Sequence, residues 1–412
     1  MFVFSSCFQS HSQTPVASKE VGSEQVVKIG VAALMSGPIG HLGKAISRGV
    51  ALAIERSNKA GYMSGSRRLR FAVVEQDDAS DSRRATAVAN ALIGSEVVAV
   101  VGHLNSGLSI PASRVYAMRG IPMVSPASSN PNLTEQKLNN VFRVVARDDL
   151  QPDALFEVAR EALVNRLAIL SERGSYGEIV GLTATVQAES RPIKIVLNET
   201  ELTPDRVSSS SLGARLAALK LDAVLVVGSS DLLKLILKAV SAAKAKPLLI
   251  LATNYACTED MLIIDLQENR LLCASPDPDV VLIDETFSRD YERMYGEAPH
   301  VYAATAYDAA SAIVRAIFQS ANLSSVDIAL RLKTTSLSGA TGLISFDSTG
   351  PISVSELSGG RLDLRYVVQA IGCRRWRVPQ RSCSGPQQFV RVPSRHKLRP
   401  VLDSAIQKGY FV

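Results

Sequence analysis

Near-continuous apolar runs, rich in β-branched residues, alternate along this chain with stretches of helical period, and that alternation restricts the fold more than any other feature. The run Val26–Ala33 reads as a strand buried on both faces, because polar residues are nearly absent from it. In the amphipathic stretch that follows, Ile46, Val50, Ala53 and Ile54 share one face, and Gly61 marks its end. "LRFAVVEQDDAS" is a second strand running into the acidic turn Asp77–Asp78, and Asp81 is placed to cap the next helix. "VVAVVG" is a third strand, "GLSIPASRVYAMRG" a third helix and "IPMVSPAS" a fourth strand. Strands linked in this way by helices require a parallel sheet covered on both faces.

The pattern restarts after Asp148. "QPDALFEVAREALV", "YGEIVGLTATVQAE", "SSSLGARLAALK" and "DLLKLILKAVSAAKA" read as helices, separated by the strands "RLAILSE", "IKIVLNET", "DAVLVVGS" and "PLLILAT". Two α/β lobes are therefore expected, each with its own sheet, and a length of 412 residues agrees with two cores rather than one. "ASPDPD" (Ala274 to Asp279) then leads into a long helical region from Glu285, and "GATGLISFDSTGPIS" is punctuated by glycine. The tail from Gly372 is rich in Arg and Pro and packs poorly by this reading, apart from the helical pattern "LRPVLDSAIQKG".

Bulk properties narrow the function class. The net charge is +6, but the basic residues form no stripe; the local excess lies between Arg374 and Arg399. No nucleic-acid partner is expected from that distribution. No apolar run reaches the roughly 20 residues that a membrane-spanning helix needs. "FSSC" before a Ser/Gln/Thr-rich stretch resembles a lipobox, yet only six residues precede Cys7, too few for a signal peptide. Two readings stand: a truncated signal with Cys7 as the lipid anchor, or an ordinary cysteine in a disordered leader. The other four of the five cysteines pair by spacing as Cys257 with Cys273 and Cys373 with Cys383. They would form two disulfides in an oxidising compartment, or else stay isolated small residues. None of the five histidines lies near a cysteine pair, so no metal site and no cofactor is expected.

The stretch "VAVVGHLNSGLSIPAS" carries the most chemistry. A buried strand stops at Gly102, small polar residues Asn105 and Ser106 follow, and a helix begins. A helix N-terminus offers unpaired N–H groups and a partial positive charge, which suits an anion. Pro111 is expected in the first turn, where a missing N–H costs nothing. A catalytic reading would pair His103 with Ser106, but "LNSGL" is not a nucleophile elbow, and neither a phosphate-binding loop nor a dinucleotide fingerprint is present. No enzyme is expected.

"IGVAALMSGP", "DDASD", "VVGHLNSGLSIPAS", "IPMVSPASSNPNLT", "FRVVARDDLQ", "YGE", "YGEAPHVYAATAYDAA" and "GATGLISFDSTG" occur in this order. Together, from about Val26 to Gly360, they resemble the type I periplasmic binding proteins of branched-chain amino acid (Leu/Ile/Val) ABC transporters. The resemblance implies two Rossmann-like lobes with parallel sheets, joined by a three-strand hinge that closes over a ligand. The hinge crossovers fall near Ala146–Leu150, Ser275–Asp279 and Phe346–Gly350. This divides the chain into a leader (1–25), lobe 1 (26–146 plus 279–346), lobe 2 (147–278 plus 347–371) and a basic extension (372–412).

The same resemblance assigns the site. Ser106, beside Asn105, falls where the family binds the ligand carboxylate. Ala127 and Ser129 fall where a carbonyl and a hydroxyl meet the ligand ammonium and carboxylate, and Tyr176 where a tyrosine covers the ligand. Leu42 stands where an aromatic residue often lines the side-chain pocket, and Ser229, with Ser230, where tyrosines are common. Asn254 aligns with the acid that pairs the ammonium. An amide carries no charge, so Asp231 or Glu259 would have to substitute, or the ligand lacks a free ammonium. The implied role is capture of an amino acid or related small amide for a membrane permease, in the periplasm or cell envelope, with membrane contact only through Cys7. The alternatives are a sensory domain for a separate signalling partner, a binder of a different small organic ligand, or an enzyme on the same scaffold.

Overall fold

The structure, a computed structural model, describes residues 24–64, 67–209, 211–243, 248–257, 266, 269–276, 284–346, 366–371 and 389–390. Cys7, Glu259, the Cys373–Cys383 pair and the helical pattern of the tail lie outside these residues.

The first sheet is built from β1 (Glu24–Ala33), β2 (Met63–Ser64), β3 (Arg67–Asp77), β4 (Ala99–Gly102), β5 (Met123–Ser125) and β6 (Val141–Arg143). Its order is β2-β3-β1-β4-β5-β6, parallel except for the short edge strand β2. Helices α1 (Gly40–Ala60), α2 (Ala85–Gly94), α3 (Ser106–Ala117) and the single turn α4 (Asn132–Glu135) connect these strands. The alternation in the sequence has a direct cause: Val27, Ile29, Val31 and Ala33 enter one core and Ala32 the core on the other face. On α1, Ile46, Val50, Ala53 and Ile54 are buried as their spacing predicts, and fully burying such side chains contributes about 1.5–3 kcal/mol for each large one. Gly61 closes α1. Asp81 accepts from the Arg83 N–H at 3.0 Å, but it caps a short tight turn (Ser82–Arg84) placed before α2.

The second sheet contains β7 (Arg166–Glu172), β8 (Lys194–Leu202), β9 (Ala223–Val227), β10 (Leu249–Ala252), β11 (Arg270–Pro276), β14 (Tyr366–Ile371) and β15 (Phe389–Val390). Its order is β15-β14-β11-β10-β9-β7-β8. The strands from β8 to β11 run parallel, and β14 and β15 add an antiparallel edge. Helices α5 (Gln151–Glu161), α6 (Ser175–Glu189), α7 (Pro204–Ser209), α8 (Leu212–Ala218) and α9 (Ser230–Ala242) accompany it. A disulfide joins Cys257, just beyond β10, to Cys273 in β11, with the Cα atoms 5.9 Å apart.

The helical region after residue 284 is two helices. Gly296, with φ 73°, ends α10 (Glu285–Tyr295), and His300 caps α11 (Val301–Gln319) by accepting from the Tyr302 N–H at 3.1 Å. After α12 (Ser325–Leu332), a hairpin of β12 (Ser336–Gly339) and β13 (Gly342–Ser345) is held by Asp308 of α11, whose carboxylate accepts from the Ala340 and Thr341 N–H groups. These late elements complete the first core, to which Ala306, Ile313, Ile317, Ile344 and Phe346 belong. Gly49 sits where α1 crosses α11; a Cβ there would lie 2.0 Å from the Ala303 carbonyl oxygen, so only glycine permits the approach.

Pro111 departs from expectation. It is the sixth residue of α3, in the second turn rather than the first. The carbonyl it leaves without a helical donor belongs to Gly107, which is exposed to solvent, so the loss is tolerable there.

In both sheets the strand order reverses next to the first strand, at β1/β4 and at β7/β9. Ligands of open α/β sheets bind beyond the carboxyl ends of strands at such switch points.

Candidate functional site

The carboxyl end of β4 is fixed by sterics. Gly102 has φ 151°, and a Cβ there would lie 2.3 Å from the Ala32 carbonyl oxygen, so the strand must end in glycine. The chain then turns through His103 into α3. Asn105 is the N-cap residue in extended conformation, and its amide donates to the Ser80 hydroxyl at 2.6 Å. The Ser106 hydroxyl accepts from the Asn130 N–H at 3.3 Å, which ties the helix start to the loop after β5. The first N–H groups of α3 have no carbonyl a turn earlier to bond, so this mouth is suited to a carboxylate.

Buried polar groups lock the two loops together. The Ser109 and Ser128 hydroxyls meet at 2.6 Å, and Ser128 also contacts the His103 and Leu104 carbonyls at 3.2 Å. Arg143, on β6 and fully buried, donates to the carbonyls of Ser128 (3.3 Å) and Asn130 (2.9 Å) and to the Thr134 hydroxyl (2.8 Å). Burial, helped by the charge of Arg147, draws its pKa down to about 10, so it remains a cation at neutral pH beneath the loop that carries Ala127 and Ser129.

A second network links this loop to the other lobe. Ser129 donates through its hydroxyl to Asp148 Oδ2 at 2.9 Å, and the Asp148 N–H returns a bond to the Ser129 carbonyl at 3.0 Å. Gln151 Nε2 donates to Asp148 Oδ1 at 3.0 Å, while Gln151 Oε1 accepts from the Asn254 N–H at 2.8 Å. The Tyr176 hydroxyl donates to Asn254 Oδ1 at 3.0 Å, and its ring packs edge-on against the exposed Tyr255. Asp148 is only 6% exposed, and burial pushes its carboxyl up to about 6 against the opposing pull of Ser129, Arg143 and Gln151. Tyr302, at the start of α11, has its hydroxyl pKa raised by burial and then by the charge of Asp148.

Ser129, Tyr176 and Asn254 thus meet in one network, with Asn105 and Ser106 one loop away. Ala127 and Leu42 are half-buried against the first core, and Leu42 lies in the first turn of α1. Ser229 joins none of these bonds: it caps α9, and its N–H (2.5 Å) and hydroxyl (2.9 Å) both donate to Glu172 at the second switch point. Asp231 is 78% exposed and pairs with Lys234, so it does not stand in for an acid at Asn254. Asp148, Gln151 and Arg143 were not singled out from the sequence. All three lie in "FRVVARDDLQ", where an arginine inside an apolar run is the available signal.

The site holds no assembled nucleophile. Both ring nitrogens of His103 are engaged, Nδ1 with Asp78 at 2.8 Å and Nε2 with the Tyr116 hydroxyl at 3.4 Å. His103 is fully buried and supports the loop rather than Ser106. Among the described residues no group of acids, histidines and cysteines is arranged for a metal ion, and no helix is long and apolar enough to cross a membrane. The arrangement offers hydroxyls, helix N–H groups, a buried carboxylate and a tyrosine, which is a set for recognition.

Comparison with known proteins agrees with this fold. The profile of the periplasmic binding protein family matches residues 26–353. The Leu/Ile/Val-binding protein homolog 2 of Brucella abortus is 37% identical over 153 residues, which is 37% of this chain and 40% of that protein. The Leu/Ile/Val-binding protein BraC3 of Rhizobium johnstonii is 32% identical over 200 residues, 48% of this chain and 53% of that protein. The matched part thus spans about half the length of these curated relatives or less. An ABC transporter substrate-binding protein from Desulfitobacterium hafniense, solved in complex with Leu, superposes with a TM-score of 0.67 at 24% identity, covering 89% of this chain and 100% of that one. With most of its length matched by the profile and the two-sheet architecture shared, the chain belongs to the periplasmic binding protein family.

Proposed function

We propose that this protein captures an amino acid or closely related small amide between its lobes and delivers it to an ABC-type permease. The observation that carries the proposal is the network Ser129–Asp148–Gln151–Tyr176–Asn254, which brings groups from both sheets to one place beside the N-terminus of α3. In this reading the Ser106 and Asn105 end receives the ligand carboxylate. Asp148, with Ser129 and the Ala127 carbonyl, receives the ammonium and supplies the charge that Asn254 lacks. Tyr176 covers the ligand on closure, and Leu42 faces its side chain. Names of the relatives, Leu/Ile/Val-binding proteins, support an aliphatic amino acid as the first ligand to test. The site binds its ligand without covalent chemistry.

The lobes divide as 26–146 with 279–346 and 147–278 with 347–371, and hinge rotation encloses the ligand. The place of action is the periplasm or cell envelope, which the Cys257–Cys273 disulfide supports because such bonds persist in oxidising compartments. The test is calorimetry with leucine, isoleucine, valine and their amides. Saturable binding is expected, and Asp148→Asn should cost about 2–4 kcal/mol for ligands with a free ammonium, the loss expected when a buried charge partner is removed. A cleft that takes none of these compounds, or an Asp148→Asn protein that binds them unchanged, would refute the assignment.

A further inference from the structure

A groove of about 500 Å³ runs along the second lobe between α6 and β8, apart from the interlobe network. On α6 it is lined by Glu178, Leu182, Thr185, Val186 and Glu189. These residues recur at offsets of four, seven, eight and eleven, the spacing of one helix face. Asn198 and Thr200 line the opposite wall from one face of β8, and β8 is the last strand of its sheet.

Neighbouring acids are already paired. Glu201 bonds Arg173 at 3.0 Å, and Glu172 holds Ser229. Glu178 and Glu189 are exposed and form no ion pair among the described residues. In the same groove the Ser171 hydroxyl, on a residue 1% exposed, has no hydrogen-bond partner. A buried hydroxyl left unpaired is costly, and a donor entering the groove would relieve it.

We propose that this groove is a second binding site, for a linear aliphatic polyamine. The two unpaired carboxylates sit eleven residues apart, about 16 Å along the helix, too far to share one metal ion but matched to the outer amines of an extended tetramine. Leu182 and Val186 lie between them, where methylene segments would pack. Ser171 and the amide oxygen of Asn198 offer acceptors for the inner ammonium groups, while the Thr185 hydroxyl accepts from the Asn198 amide at 3.1 Å and donates to the Gly181 carbonyl at 2.9 Å.

The test is calorimetric titration of the full chain with spermine at low ionic strength. Saturable one-to-one binding is expected, weakened at least about tenfold in the Glu178→Gln/Glu189→Gln protein. Ser171→Ala should weaken spermine binding several-fold while leaving the unfolding temperature equal or higher, because it removes an unsatisfied hydroxyl. Both glutamates are exposed, so the double variant keeps its fold. Non-saturable heats, or binding indifferent to the double substitution, would overturn the proposal. So would hexa-arginine binding that depends on Glu178 and Glu189 where spermine does not bind, since that would assign the groove to a basic protein segment.

Discussion

Replacing Asp148 by asparagine should stabilise the unliganded protein at neutral pH, although it alters a buried, hydrogen-bonded side chain. Burial lifts this carboxyl from 3.8 to about 6. A shift of roughly two units corresponds to about 3 kcal/mol spent keeping the carboxylate charged in the fold at neutral pH. Asparagine escapes that cost but keeps only one acceptor oxygen for Ser129 and Gln151, which returns about 1 kcal/mol. The net gain is about 1–2 kcal/mol, or roughly 1–3 °C in Tm for a chain of this length.

The sign of the pH dependence is fixed. The folded state holds the Asp148 proton more tightly than the unfolded state, so stability declines as pH rises from about 4 to about 6 and then levels off. The substituted protein lacks this titration. Its advantage in Tm should be full at pH 7.5 and shrink towards pH 4.5. Asp308, also raised to about 6 by burial, titrates in the same window in both proteins and cancels in the difference. Scanning calorimetry of both proteins from pH 4.5 to pH 8 is the assay. A lower Tm for Asp148→Asn at pH 7.5, with the same deficit at pH 5, would mean that its hydrogen bonds outweigh desolvation, and the reasoning would fail.

Other substitutions probe separate features. Gly49→Ala forces a methyl group onto the Ala303 carbonyl and should cost about 1–3 kcal/mol in urea unfolding, with ligand affinity unchanged; a neutral result would mean α1 and α11 can slide apart freely. Cys257→Ser with Cys273→Ser opens a loop between residues 16 apart and should lower stability by about 2–4 kcal/mol, an effect that reductant should reproduce in the parent protein but not in the variant. Ser106→Ala should weaken carboxylate ligands by about 1–3 kcal/mol in calorimetry while lowering the Tm only slightly through loss of the bond from the Asn130 N–H, and an unchanged affinity would place Ser106 outside the site.

The alternation of apolar runs and helical periods carries most of the architecture because the central strands β4, β5, β7, β9 and β10, and the second half of β1, are buried on both faces. Where that signal is short it fails. β6 has three residues and falls below any window, and β11 is masked by the proline that closes it. At the site, Ser106 stands out in the sequence because small polar residues at a helix start suit an anion, whereas Ser129 is marked only by the family resemblance. Asp148 was not. Two adjacent acids look alike in sequence, and only the fold turns Asp148 towards Ser129 and its neighbour Asp149 towards Arg147. Ser229 shows the opposite limit: its alignment pointed to the ligand, while its geometry commits it to Glu172.

The packing of α1 against α10 and α11 also sets an order of assembly. Arg48 and Tyr295, whose carbonyl and hydroxyl meet at 3.1 Å, are 247 residues apart, whereas the second sheet from β7 to β11 is contiguous in the chain. A chain emerging from the ribosome therefore has all of β7 to β11 in hand before the partner of α1 exists. Until α11 arrives, the apolar face of α1 is covered only by its own sheet, so the lobe that is begun first stays incomplete until after the parallel core of the second sheet has been made.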